Sequence, residues 1–149
     1  MDILPFSSKL ITKDYIREKA VDSSPLMAMS DDHLTSLLSW AEYCGMGYMA
    51  VRDNVVVAAA GAWPLWNGVY QGWALMLQPG KSAFRIIRTM MRLIPEFIQS
   101  HKVVRLQIDI NDGVPSAKKL AEALKFKPEC NRKKYGPDGN DYWLYRIII

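Results

Sequence analysis

Three β-rich runs in the middle of the chain, joined by two short turns, constrain the fold more than any other feature. The first two runs, Tyr48 to Arg52 and Val55 to Trp63, are separated only by Asp53-Asn54. Asp and Asn both tolerate positive φ, so this dipeptide predicts a tight hairpin. A second turn at Asn67-Gly68 leads into the third run, Val69 to Leu77. The centre of the sheet should therefore be antiparallel.

Helical and strand patterns flank these runs on both sides. Helices are predicted from the cap Thr12 to Ala20, from the cap Ser30 to the stop at Gly45, from the cap Ser82 to about Ser100, and from Ser116 to Leu124. Further strands are predicted over Ile3 to Phe6, Val103 to Ile110, Phe126 to Asn131 and Tyr142 to Ile148. The order β-α-α-β-β-β-α-β-α-β-β describes one α/β (α+β) domain over residues 1–149, with a mixed, mostly antiparallel sheet. The strands on either side of the long helix form a β-α-β unit and should run parallel.

Composition argues against several classes of protein. The two cysteines, Cys44 and Cys130, are far apart and have no metal-ligand spacing. The isolated His33 and His101 disfavour a zinc site or a histidine-based triad. The longest apolar stretch, Val55 to Trp66, is too short to cross a bilayer, and the N-terminus lacks the pattern of a secretory signal. Neither membrane contact nor secretion is expected.

The turn between the third run and the long helix carries the most specific motif, Gln78-Pro79-Gly80-Lys81-Ser82-Ala83. Together with the order of elements, it resembles the GNAT superfamily of acyl-CoA-dependent N-acetyltransferases. The family pattern there is Gln or Arg, two residues, Gly, one residue, then Gly or Ala. Gln78 and Ala83 match, whereas Lys81 replaces the glycine. The alternative is that these residues form only a strand-to-helix turn.

The resemblance implies a fold, a cofactor and a site. In the family, two parallel strands splay apart to make a cleft, and the cofactor's pyrophosphate lies on the N-terminus of the long helix, where backbone N–H groups and the helix dipole favour an anion. Acetyl-CoA or CoA is therefore the expected cofactor. The residues expected to bind it are Leu77, Gln78, Lys81, Ser82, Ala83, Phe84 and Arg85.

Two further stretches depart from the family's catalytic pattern. The segment Leu120 to Phe126 is similar to the family's Leu-Tyr-x-Lys-x-Gly-Phe, but Ala121 replaces the tyrosine that protonates the leaving thiolate, and Lys125 replaces the glycine. No Asp or Glu lies between Asp53 and Glu96, so the carboxylate base that the family often carries on the fourth strand is missing. The catalytic residues are left open. Candidates for the acid in the last hairpin are Tyr135, Tyr142 and Tyr145.

The long helix carries a basic stripe, made of Lys81, Arg85, Arg88 and Arg92 at helical spacing. A neighbouring apolar stripe is predicted to face the core and contains Phe84, Ile87, Met91, Ile94 and Ile98. The basic stripe is either a solvated face or an anion-binding ridge for CoA phosphates, nucleic acid or a partner.

Within the superfamily, the likeness extends to the small GNAT-like internal virion proteins of short-tailed bacteriophages. The segments that carry it are Lys81 to Ile98 and Arg132 to Tyr145. It implies a virion-associated or interaction component with weak or no acetyltransferase activity. The expected partner is a virion or host protein, and the expected location is the bacterial host cytoplasm or the phage virion. The alternatives are an active acyl-CoA-dependent N-acetyltransferase and a host-takeover protein that binds a bacterial target.

Overall fold

A computed structural model describes residues 1–20 and 25–149. In this part of the chain, seven strands form one sheet in the order β1-β2-β3-β4-β5-β7-β6. The strands are β1 (Asp2–Pro5), β2 (Gly47–Arg52), β3 (Val55–Trp66), β4 (Val69–Met76), β5 (Arg105–Asn111), β6 (Lys127–Arg132) and β7 (Tyr142–Ile148). All neighbouring pairs are antiparallel except β4 and β5, which are parallel. The predicted mixed sheet and the predicted parallel pair are confirmed.

Four α-helices connect these strands in the described residues. They are α1 (Lys13–Lys19), α2 (Asp31–Cys44), α3 (Ala83–Ser100) and α4 (Pro115–Ala123), and short 3₁₀ turns occupy Pro25–Ala28 and Gly80–Ser82. The Thr12 and Ser30 side chains accept backbone hydrogen bonds at the starts of α1 and α2, as their sequence positions predict. Gly45 ends α2 with a φ of 67°, the left-handed conformation that favours glycine.

The hairpin between β2 and β3 forms as predicted, whereas the predicted end of β3 is wrong. Asp53 and Asn54 have φ values of 52° and 61°. The strand β3 passes through Pro64 and ends at Trp66. Pairing with β2 stops at the Gly47–Gly61 pair, so beyond that point β3 has a neighbour only on the β4 side. A proline fits there because the edge of β3 that no longer pairs with β2 needs no backbone N–H donor.

The two faces of the sheet bury separate sets of side chains. On one face, α1 and α2 pack over the centre of the sheet through Ile16 and Leu34, which meet Leu75 of β4. On the other face, α4 packs through Ala121 against Leu106 of β5 and its neighbours. The fold therefore has three layers, and the sheet separates α1 and α2 from α3 and α4.

The apolar stripe predicted for α3 is partly wrong. Phe84 is 69% exposed and Met91 is 48% exposed, so neither faces the core. The side chains that pack against the sheet include Ile86, which is buried, and Met90. The apolar sector of this helix is wide. Periodicity alone therefore identifies the residues at the centre of its core-facing side only to within about one position. The basic stripe is exposed along its length.

Candidate functional site

A gap between β4 and β5 is the first feature of the site. The two strands pair over three residues, the last pair being Gln71 with Gln107. Gly72 follows at the point where the strands part, and a Cβ added there would lie 3.0 Å from Cγ2 of Ile108. A side chain at this position would crowd the opening, so glycine keeps the base of the gap clear.

A cavity of about 500 Å³ lies between the sheet and the helices α3 and α4 and reaches this gap. Small residues of β3 and β4 form its floor, namely Ala60, Ala62, Gly72 and Ala74. Ala74 is exposed although it lies in a central strand. The cavity exists because these side chains are too short to fill the space beneath α3.

The mouth of the cavity lies between the N-termini of two helices. Pro79 and Ala83 line it where α3 begins. Val114, Ser116 and Ala117 line it where α4 begins. The N-termini of helices carry partial positive charge, so an anionic group is favoured at this mouth.

The turn predicted to bind phosphates therefore borders the cavity. Gln78 and Gly80 have φ values of 58° and 48°, which bend the chain sharply from β4 into α3. Lys81 keeps a negative φ, so its replacement of the family's glycine introduces no backbone strain. Lys81, Phe84 and Arg85 are exposed beside the turn. These three side chains are accessible to a ligand.

Other predicted binding residues are engaged within the protein. Leu77 is 1% exposed and belongs to the core that faces α1 and α2. The Ser82 N–H donates to the Pro79 carbonyl oxygen at 2.8 Å, and the Ala83 N–H donates to the Gly80 carbonyl oxygen. The 3₁₀ turn thus uses two of the N–H groups that the resemblance assigned to phosphate.

Ser82 does not cap α3 through its side chain, contrary to the prediction. Its hydroxyl is buried and accepts a hydrogen bond from the Arg52 guanidinium at 2.9 Å. Arg52 ends β2, thirty residues earlier in the chain, and brings a further positive charge close to the start of α3. No local sequence pattern marks this contact, because it depends on how the β2–β3 hairpin meets α3.

A carboxylate that the sequence reasoning missed lies at the edge of the gap. Asp109 of β5 lines the cavity, and its side chain is 17% exposed. One carboxylate oxygen accepts from Gln71 Nε2 at 3.2 Å, and the other accepts from the Arg132 guanidinium at 2.9 Å. Burial raises the pKa of Asp109, and Arg132 and Gln71 partly oppose that rise. Asp109 is therefore held in place and is more basic than an ordinary aspartate.

The resemblance placed the expected base on β4, whereas this carboxylate lies on its parallel neighbour β5. The alternation of Arg105, Gln107 and Asp109 with apolar residues was visible in the sequence and marks a polar face. In the structure, Arg105 Nε donates to Gln107 Oε1 at 2.8 Å, and Gln107 Nε2 donates to Gln71 Oε1 at 3.1 Å. These side chains form a continuous polar row on the sheet face opposite α3 and α4.

The tyrosines of the last hairpin differ in their surroundings. Tyr145 is buried in the core beside α4, and burial raises its pKa. The Tyr142 hydroxyl donates to Asp138 at 3.1 Å, and burial and Asp138 raise its pKa. Tyr135 is 52% exposed. Among the described residues that line the cavity, none is one of these tyrosines.

Ala121 lines the cavity from α4 and brings no proton donor there. Ser116 also lines it and carries a hydroxyl. Lys125, which replaces the family's glycine, has a φ of 72° and closes the C-terminus of α4. The backbone therefore keeps the shape that a glycine would give, although the residue differs.

Within residues 1–20 and 25–149, no group of three or more His, Cys, Asp or Glu side chains is placed to hold a metal ion. The helices of the same residues include none that is long and apolar enough to span a bilayer.

Solved structures of acetyltransferases share this architecture. The ribosomal-protein-alanine N-acetyltransferase from Brucella melitensis superposes with a TM-score of 0.73 at 14% identity, and the match covers 100% of both chains. The ribosomal-protein-S18-alanine N-acetyltransferase from Escherichia coli gives 0.74 at 15% identity, over 99% of this chain and 93% of the other. A ribosomal L7/L12 α-N-protein acetyltransferase in complex with coenzyme A gives 0.69 at 13% identity, over 99% and 98%.

No protein-family model and no curated protein sequence matches this chain. The structural matches nevertheless cover 98%, 100% and 99% of this chain, and they show that it has the fold of the GNAT-family acetyltransferases.

Proposed function

We propose that this protein binds an acyl-CoA in the cavity and transfers the acyl group to an amine. The observation that carries the proposal is the path of the cavity. It begins at the N-terminus of α3 and reaches the β4–β5 gap, where Asp109 lines it from β5. The end at α3 suits an anion, the middle suits an apolar arm, and the gap carries a base.

The phosphates of CoA fit the mouth on grounds of charge. Lys81 and Arg85 are exposed beside it, and the dipole of the 18-residue helix α3 adds to their positive potential. The arm that joins the phosphates to the thioester is largely uncharged and would follow the cavity to the gap. When bound, the acyl-CoA supplies an activated thioester.

Asp109 is proposed to accept the proton that the amine loses as its nitrogen forms the new bond to the acyl carbon. Gln71 and Arg132 fix both carboxylate oxygens, so the base is oriented before the amine arrives. The polar row on β5 offers the acceptor a hydrogen-bonding surface. The C–S bond breaks in the same reaction, and the departing thiolate takes a proton from solvent.

Calorimetric titration with CoA and acetyl-CoA tests the binding. A charge-assisted contact contributes about 1.5–3 kcal/mol, so Arg85→Ala should weaken CoA binding tenfold or more. Arg88→Ala is the matched control, because Arg88 lies one turn further along the exposed face, over the Phe84 ring. Equal losses in the two variants would contradict a specific role for Arg85. Absence of binding to the unaltered protein at millimolar CoA would overturn the proposal.

Partner binding is a second candidate function, supported by the outer face of α3. Phe84 and Met91 are exposed there among the residues of the basic stripe. The bacteriophage origin, the virion or host partner and the location remain predictions from the sequence resemblance.

A fluorescence titration with a short DNA duplex at low and moderate salt tests whether the basic stripe on α3 binds nucleic acid. Binding that weakens in Arg88→Ala and Arg92→Ala would support it, and absence of binding at low salt would overturn it.

A further inference from the structure

The cavity extends beyond the path from the N-terminus of α3 to the β4–β5 gap, and this extension has a defined place. From the β4–β5 gap it continues sideways beneath α3, across β3, to β2. We call this part the lateral lobe. It is lined by Met46, Tyr48, Ala60, Ala74, Met90 and Leu93.

The sheet register fixes the length of the lateral lobe. Ala74 of β4 pairs with Ala60 of β3, and Ala60 pairs with Tyr48 of β2, so these residues lie in one row across three strands. Neighbouring strands are about 4.8 Å apart, which places Tyr48 about 10 Å from β4. A C–C bond of about 1.5 Å advances an extended chain by about 1.25 Å. The row is therefore about as long as an extended hydrocarbon chain of about eight carbons.

The packing of α3 shows that the protein itself does not fill this space. In an 18-residue helix that lies over the sheet, Ile86 is the one fully buried residue, and the other side chains that pack against the core, Met90, Ile94, Phe97 and Ile98, are only partly buried. Ala74 is exposed beneath the helix, in the middle of a central strand. Apart from the Tyr48 hydroxyl at the outer end, the described side chains that line the lobe are apolar or carry only a thioether.

We propose that the lateral lobe binds the hydrocarbon chain of an acyl-CoA with about six to eight carbons, so that the protein prefers medium-chain acyl groups to acetyl. The inference rests on the proposed acyl-CoA site. With the thioester at the gap, a chain directed across β4 enters the lobe, buries its methylenes against alanine and methionine, and ends near Tyr48.

The test is a calorimetric series with CoA, acetyl-CoA, butanoyl-CoA, hexanoyl-CoA and octanoyl-CoA on the unaltered protein. Burial of one methylene strengthens binding about threefold to fourfold. Hexanoyl-CoA should therefore bind at least tenfold more tightly than acetyl-CoA, and the gain should level off near eight carbons. Equal affinity for acetyl-CoA and hexanoyl-CoA would overturn the chain-length inference and leave acyl-CoA binding intact. Failure of every ligand in the series would overturn the acyl-CoA site itself.

A filling variant tests the location. Ala60→Leu places a larger side chain in the middle of the lateral lobe, one strand away from the gap. It should remove most of the advantage of hexanoyl-CoA over acetyl-CoA, measured as the ratio of the two affinities in the same variant. Ala123→Leu is the matched control, because Ala123 is exposed at the end of α4 and does not line the cavity. A hexanoyl advantage that survives Ala60→Leu in a folded protein would overturn the assignment to this lobe. Should that variant fail to fold, the series on the unaltered protein still decides the chain-length preference.

Discussion

Gln71, the last residue of β4 that pairs with β5, donates its side-chain N–H to Asp109 Oδ2 at 3.2 Å. This bond spans the base of the gap between the two strands. The Arg132 guanidinium holds the other oxygen at 2.9 Å from the opposite side. The carboxylate therefore has one fixed orientation at the place where an acyl group and an amine would meet.

Replacement of Asp109 should separate binding from chemistry. Asp109→Asn keeps the shape of the side chain and removes its ability to accept a proton. We expect acyl transfer to fall about 10²–10⁴-fold, while acyl-CoA affinity changes less than twofold. Release of free CoA thiol in the presence of a panel of amines measures the first quantity, and calorimetry measures the second.

The control for that experiment is Asp53→Asn. Asp53 has a φ of 52° at the tip of the β2–β3 hairpin, and asparagine tolerates this conformation equally well. Its transfer rate should stay within twofold of the unaltered protein. Amine-dependent CoA release that is undiminished in Asp109→Asn would exclude Asp109 as the base.

The pH dependence of transfer should follow the same carboxylate. Burial raises the pKa of Asp109 above the ordinary value of an aspartate, and the Arg132 charge lowers it. A base must be ionised to act, so the rate should fall as the pH falls through this pKa. Arg132→Met removes the lowering charge and should move the acid limb of the pH–rate profile to higher pH. An acid limb that stays in place would mean that another group controls it.

Lys125→Gly should stabilise the protein. Lys125 has a φ of 72°, and the left-handed conformation costs a residue with a Cβ about 1–2 kcal/mol. Glycine loses more chain entropy on folding, which offsets about 0.5–1 kcal/mol. The conformational term is the larger, so the free energy of unfolding in urea should rise by about 0.5–1 kcal/mol. Lys125→Ala removes the charge and keeps the Cβ, and it should change little; equal effects of the two variants would point to the charge instead.

Gly61→Ala should destabilise the fold strongly. A Cβ at Gly61 would lie 2.7 Å from the Met46 carbonyl oxygen and 2.8 Å from the Trp73 ring. Backbone cannot move aside as a flexible side chain can, so we expect a loss of about 3 kcal/mol in the free energy of unfolding. Gly113→Ala is the control, because its nearest contact would be 3.4 Å from Asn111 Oδ1. Thermal or urea unfolding with equal midpoints for the two variants would contradict this packing.

Local sequence signals predicted the elements and their pairing well. Asp53-Asn54 predicted the hairpin, and Thr12 and Ser30 predicted the starts of two helices. The β-α-β order predicted the parallel pair. Each of these depends on a few neighbouring residues or on chain order. The end of β3 was mispredicted because Pro64 is acceptable only where β2 no longer pairs, which is a fact about another strand.

The site was predicted less completely, and for the same reason. The turn from Gln78 to Ala83 could be found by its motif, and it does border the cavity. The Arg52–Ser82 bond and the Gln71–Asp109–Arg132 contacts join residues 23 to 38 positions apart. Such contacts arise only when hairpins and strands are assembled, so no periodicity or spacing in the sequence reports them.

The thin packing beneath α3 has a consequence for the motions of the protein. A helix with one fully buried residue and otherwise half-buried contacts should open locally at a lower free energy than the central strands, and its amide hydrogens should exchange with solvent sooner than those of β3 and β4. A ligand that occupies the cavity would supply the missing apolar contacts and slow that exchange selectively in α3. Occupancy of the cavity would then set the rigidity of the helix that carries the exposed basic stripe. A small molecule bound on the inner face of α3 would thereby change how the outer face binds a partner.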